Sequence, residues 1–150
     1  MAALVTTLSL LVTGLLTGNE LAVALFIHPV LYQVPDTAHA TVVKPLAAKL
    51  GRWMPFWYAL SLLLAVAQAW STWHTQARPL AVAAAALLAL ISALSILLPV
   101  PINNQIAALD AKHLPAGWLA LRRRWDVYHG IRVVLLVVVE VLLTVAALRA

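Results

Sequence analysis

Long apolar runs alternate along this chain with shorter stretches where charge and proline collect. A helix that crosses a bilayer needs about 20 mainly apolar residues, and the pattern predicts four such spans, at about 2–27, 55–73, 80–98 and 128–148. Breakers fit their edges. His28-Pro29 is expected to end the first span, because the residue before a proline is pushed out of the helical region. Pro55 and Pro79 fall in the first turns of the second and third, where a missing N–H costs little. The "PVP" at 99–101 should stop the third and fix an extended exit. Trp53 and Trp57 frame the second span at one end, with Trp70 and Trp73 at the other, as interfacial indoles do.

Composition sharpens this picture. The chain of 150 residues is 64% hydrophobic and 10% charged, whereas soluble domains are about half apolar and a quarter charged. The expected fold is all-α: one membrane domain over residues 1–150, an integral four-helix bundle whose two long loops carry short interfacial helices. The first run lacks a basic leader and a cleavage site, so it is read as a retained span. The absence of cysteine excludes disulfides, thiolate metal sites and cysteine nucleophiles.

The net charge of +5 does not signal nucleic acid, because the basic residues lie between apolar runs. Lys44, Lys49 and Arg52 sit in one long loop, and Lys112 with Arg122, Arg123 and Arg124 in the other. Only Arg78 and Arg149 face them from the opposite side. The positive-inside rule then predicts both long loops to be cytoplasmic and both termini to lie across the membrane. Arg122 to Arg124 read as topology determinants and lipid contacts. His39, His74 and His113 read as surface histidines, and Gly14 with Gly18 as a packing notch that offers a route to a homo-oligomer.

Ionisable groups inside spans are rare and by default face the bundle interior with a partner. Two carboxylates qualify, Glu20 and Glu140. At about 100° per residue, Trp125, His129, Arg132 and Glu140 fall on one face of the last span. Glu20 and His28 lie eight residues apart on the first, about 12 Å along its axis. Glu140 lies eleven residues from His129 on the last, about 16 Å along its axis, which predicts an upper pair of histidines and a deeper pair of carboxylates at similar depths. His28, Arg52, Asn103, Asn104, Trp125, His129 and Arg132 should therefore gather at one basic mouth of the bundle. Two bland readings stand beside this one: Arg132 snorkelling to headgroups, and the glutamates serving only to fasten helices.

"PVPINNQ" followed by "RWDVYHGIR" resembles the anthrone oxygenase-like family of small membrane proteins. The resemblance rests on Gly18 with Glu20, Pro29, Pro101 with Asn103, and a Trp-x-x-x-His-x-x-Arg signature at Trp125, His129 and Arg132. It implies a four-helix membrane bundle that oxidises anthrones to anthraquinones with molecular oxygen in polyketide pathways. His28-Pro29 is closer to the bacterial branch, many of whose members have no known substrate.

The chemistry expected from these residues is oxidation of a lipophilic aromatic. His129 is the candidate base, and Arg132 and Asn103 are the candidate oxyanion partners. Trp125, His28, Asn104 and Arg52 would bind substrate, with Glu20 and Glu140 supporting. The leading mechanism needs no cofactor. The runner-up is a haem, or a metal held by His28, His129, Glu20 and Glu140. A non-catalytic scaffold or a small transporter-like subunit is the alternative of a different class. The expected partners are the lipid bilayer and a hydrophobic small molecule.

Overall fold

The computed structural model describes Met1–Ala150 and contains helices but no strands. We number the helices α1 (Ala2–Leu31), α2 (Asp36–Ser71), α3 (Arg78–Leu97), α4 (Pro99–Ala107) and α5 (Trp118–Leu148). Helices α1, α2, α3 and α5 are long and apolar enough to cross a membrane. In the bundle α1 packs on α2 and α5, and α3 packs on the same two helices from the other side. Each neighbour runs antiparallel to the next, the up-down arrangement of a four-helix bundle.

Proline acts differently here from the expectation. His28 keeps helical angles, φ −62° and ψ −48°, and the helix continues to Leu31. Pro29 has no N–H, and its ring would press on the carbonyl four residues back. The helix accommodates this by widening into a π-turn over Val23–Ile27, where the His28 N–H reaches back to the Val23 carbonyl. Such a turn re-aims the side chains that follow it, and His28 lands inside, 6% exposed. Pro55 is not in a first turn either. It lies, with Pro45, within a single α2 of 36 residues. "PVP" does stop α3, at Leu98, but starts α4 at once instead of leaving an extended exit.

The two long loops are therefore mostly helix that continues or abuts the spans. Ala40, Val43 and Ala47 of α2 bury against Ile102 and Ile106 of α4 and Trp118 of α5. Lys44 Nζ crosses this layer to donate to the Leu109 carbonyl at 2.6 Å. A second cluster, with Leu16, Leu88, Leu136, Val139 and Leu143, fills the centre of the bundle. The candidate site lies where these two clusters meet.

Indoles divide between two environments. Trp53 and Trp70 are exposed, as interfacial anchors should be. Trp57 turns inward and donates to the Val12 carbonyl at 3.0 Å, while Trp118 and Trp125 are buried.

Candidate functional site

The inner face of α5 sets the site. Arg122, Trp125, His129, Val133 and Leu136 are all buried, and their three- and four-residue spacings place them on one stripe. Arg132 borders the same stripe. Opposite it stands Glu20 of α1, 2% exposed.

Glu20 is the hub of a buried network. Arg132 Nη2 donates to Glu20 Oε2 at 2.7 Å, and the Tyr58 hydroxyl donates to Glu20 Oε1 at 3.1 Å. His129 Nδ1 lies 3.0 Å from Glu20 Oε2 and 2.9 Å from Arg132 Nη2. Two tautomers fit this triangle. With its hydrogen on Nδ1, His129 faces the carboxylate; with its hydrogen on Nε2, it accepts from the guanidinium. The other ring nitrogen, Nε2, is buried and has no partner. Trp125 stacks on the imidazole with centroids 4.7 Å apart and planes 17° apart.

A second unit of the same composition abuts the first. Asp126 Oδ1 lies 3.1 Å from His28 Nδ1 and 3.0 Å from Arg122 Nη2, and the Tyr32 hydroxyl donates to Asp126 Oδ2. Burial, reinforced by the Asp126 carboxylate, holds the Tyr32 phenol above its ordinary range, so Tyr32 stays a neutral donor. Each carboxylate thus gathers one histidine, one arginine and one tyrosine. The two units touch through His28 and His129, whose ring centroids are 5.1 Å apart.

Several expectations are corrected here. Arg122 is 2% exposed and serves this second unit, so it is not a lipid contact. His39 is 1% exposed, held edge-on between Tyr32 and Trp118, and is not a surface histidine. The glutamates do not pair in depth. Glu20 is level with His129 and Arg132, whereas Glu140 reaches the backbone at Gly14, 3.4 Å from where a Cβ there would stand. Six residues separate Gly14 from Glu20, about 9 Å along the axis. Gly14 is thus occupied within the chain, and only Gly18 of that notch is open. The metal quartet does not assemble either. Glu20 faces His129 Nδ1 and Arg132, Glu140 is elsewhere, and no three His or carboxylate groups converge as a metal cage.

A cavity of about 290 Å³ opens beside the Glu20 hub. Its polar end is lined by Glu20, Tyr58, Asn103, Trp125, His129 and Arg132. Asn103 is fixed by α4 and donates to the Ala47 carbonyl at 3.0 Å. That approach needs Gly51, because a Cβ there would stand 2.9 Å from Asn103 Nδ2. Arg52 and Asn104 are exposed and line no part of the cavity. His28 lies behind Trp125 and His129, outside the lining.

Tyr58, Asp126, Arg122, Tyr32 and His39 were not expected at the site. Asp126 carried a signal: it is an acid four residues after Arg122 in an otherwise basic stretch, a spacing that pairs side chains on one helix face. Tyr58 carried none, because its partner lies on another helix.

Asp126→Asn should lower stability by about 3 kcal/mol, the lower end for breaking a buried ion pair, since Asp126 is 20% exposed. Thermal unfolding in detergent would measure this. Recovery of most of the loss in Asp126→Glu is expected, and an unchanged midpoint in Asp126→Asn would show that Arg122 does not depend on this charge.

A family model described as anthrone oxygenase matches residues 47–142. The matched stretch includes Tyr58, Asn103, Trp125, His129 and Arg132, and begins after Glu20 and His28. The chain matches no curated protein and no solved structure.

Proposed function

The chain belongs to the anthrone oxygenase family, and from that premise we propose that it oxidises an anthrone-like aromatic with molecular oxygen in the cavity beside His129. The observation that carries this reading is the Glu20–His129 pair at the polar end of an otherwise apolar cavity. Its volume is near the lower end of the roughly 300–1,000 Å³ of small-molecule sites.

The proposed reaction begins at the methylene opposite the substrate carbonyl. His129, with its own hydrogen on Nδ1 toward Glu20, takes one methylene proton on Nε2. The carboxylate selects this tautomer and stabilises the imidazolium that forms. Asn103 and Arg132 border the cavity where the enolate oxygen would gain charge. The electron-rich carbanion then reduces oxygen, and a carbon–oxygen bond forms to give a peroxide anion, which takes the proton held by His129 and becomes a hydroperoxide. His129, neutral again, removes the second methylene hydrogen as a proton while the O–O bond breaks, which leaves a ketone. That second proton passes from His129 to the departing hydroxide as water. One oxygen atom stays in the quinone and one leaves in water, so no external reductant is required.

The same reading places the two basic loops on the cytoplasmic side, supported by Lys44, Lys49, Arg52, Lys112, Arg123 and Arg124 against Arg78 and Arg149. A pure scaffold would use Glu20 as glue with no cavity beside it; the cavity favours a ligand.

Oxidation of anthrone in ¹⁸O₂ tests the proposal. The expected product carries one label in the new carbonyl, the other appears in water, and one oxygen molecule is consumed per anthrone. Oxidation no faster than in protein-free vesicles, or release of hydrogen peroxide in equal amount, would sink it.

A further inference from the structure

The cavity has two ends of opposite character. One is the Glu20 hub. The other is a slot between α2 and the α3–α4 junction. Its α2 wall is Gly51, Pro55 and Ala59, spaced by four residues and all exposed. That spacing makes one straight stripe about 12 Å long. The facing wall carries Ile96 and Val100, also four apart, on either side of the break at Leu98, and 66% and 38% exposed; Ser92 and Ser95 beside them donate their hydroxyls back to the Leu88 and Ile91 carbonyls of their own helix. Small side chains on one wall and a helix break in the other leave the gap.

The surroundings of the slot are apolar. Phe56, Leu63 and Leu97, near its walls in sequence, are 70%, 68% and 69% exposed, as expected of residues that face lipid tails. The charged and amide residues that would mark a watery mouth, Arg52 and Asn104, line no part of it. At the closed end His129, 2% exposed, holds an unpartnered Nε2, and an unpaired buried nitrogen calls for a ligand atom.

We infer that this slot is a lateral portal, through which an uncharged, planar, lipophilic aromatic enters directly from the bilayer and reaches Asn103 and His129 at the closed end. The identity of the ligand rests on the function proposed above; the position of the portal does not. A charged ligand would have to shed its water at an apolar rim, which is costly. Arg132 does not offset this, because Glu20 already neutralises it. Ala59 and Ile96 set the width of the slot and so determine which ring systems pass.

The chain has no cysteine, so an Ala59→Cys/Ile96→Cys variant carries the only two thiols. A short bifunctional thiol reagent bridges them across the slot. The protein is reconstituted in phosphatidylcholine vesicles without oxygen, and anthrone binding is followed by quenching of tryptophan fluorescence. The expected result is that kon and koff both fall at least about tenfold on bridging, while Kd stays within about twofold. The unbridged variant, measured in parallel, supplies the reference rates against which bridging is read. An unchanged kon after bridging overturns the portal. So does slower binding in Arg52→Glu or Asn104→Asp, which would place entry at the basic surface. Because oxygen is absent, gated binding without turnover in air counts against the oxygenase reading alone. Turnover with ungated binding counts against the portal alone. A wild-type protein that does not bind anthrone overturns both.

Discussion

Glu20→Gln is expected to lower the unfolding free energy by about 3–5 kcal/mol, the usual loss when one member of a buried ion pair is removed. The side chains of Glu20 and Arg132 are 3% and 13% exposed. Glutamine keeps the shape of the site and can still accept from Tyr58, so the loss isolates charge. What dominates is the guanidinium of Arg132, left in an apolar bundle without its counter-ion. The pair itself need not favour the fold over an apolar substitute, because two desolvation penalties oppose its attraction. Glu20→Gln/Arg132→Met should therefore recover more than half of the stability while remaining inactive. Thermal and denaturant unfolding in micelles would measure both variants. A single variant as stable as the wild type would show that water reaches Arg132 and that the hub does not hold α1 to α5.

The elements of this fold were largely legible in the chain, because the bilayer leaves few options: a run of apolar residues must satisfy its backbone internally and so becomes helix. The order and antiparallel arrangement of α1, α2, α3 and α5 follow from four runs joined in series. Helix ends were less legible. His28-Pro29 and Pro55 read as boundaries, yet the structure absorbs one in a π-turn and the other within a long α2. Proline alone does not show whether packing on both sides will hold a helix together across it.

The site was legible along one helix and obscure between helices. Trp125, His129 and Arg132 share a face by arithmetic of the helical turn, and they do border one cavity. Matching depths on α1 and α5 failed, because counting from His28 and His129 assumed that those two rings were level and that both helices ran regularly. The π-turn inserts an irregularity above Glu20, and Glu20 meets His129 itself. The second unit, around Asp126, was missed because arginines in a loop usually remain in water. Arg122 enters the interior only because α5 begins at Trp118, well before the apolar run, and gives it an acid one turn on.

The sharpest test of chemistry is His129→Gly. Loss of a positioned general base should slow anthrone oxidation by about 10²–10⁴-fold. Structural damage could mimic this, since the imidazole stacks on Trp125 and neighbours Glu20. Two measurements separate the causes. Added imidazole should restore part of the rate in His129→Gly, because the excised ring leaves its own volume at the edge of the cavity; it should do nothing for Glu20→Gln, where the ring is still present. Anthrone deuterated at its methylene should show a primary isotope effect in the unrescued variant, where removal of that proton becomes the slow step. Rescue and isotope effect together assign proton removal to position 129. A variant that oxidises anthrone at the wild-type rate would falsify the assignment and turn attention to the Glu20 carboxylate.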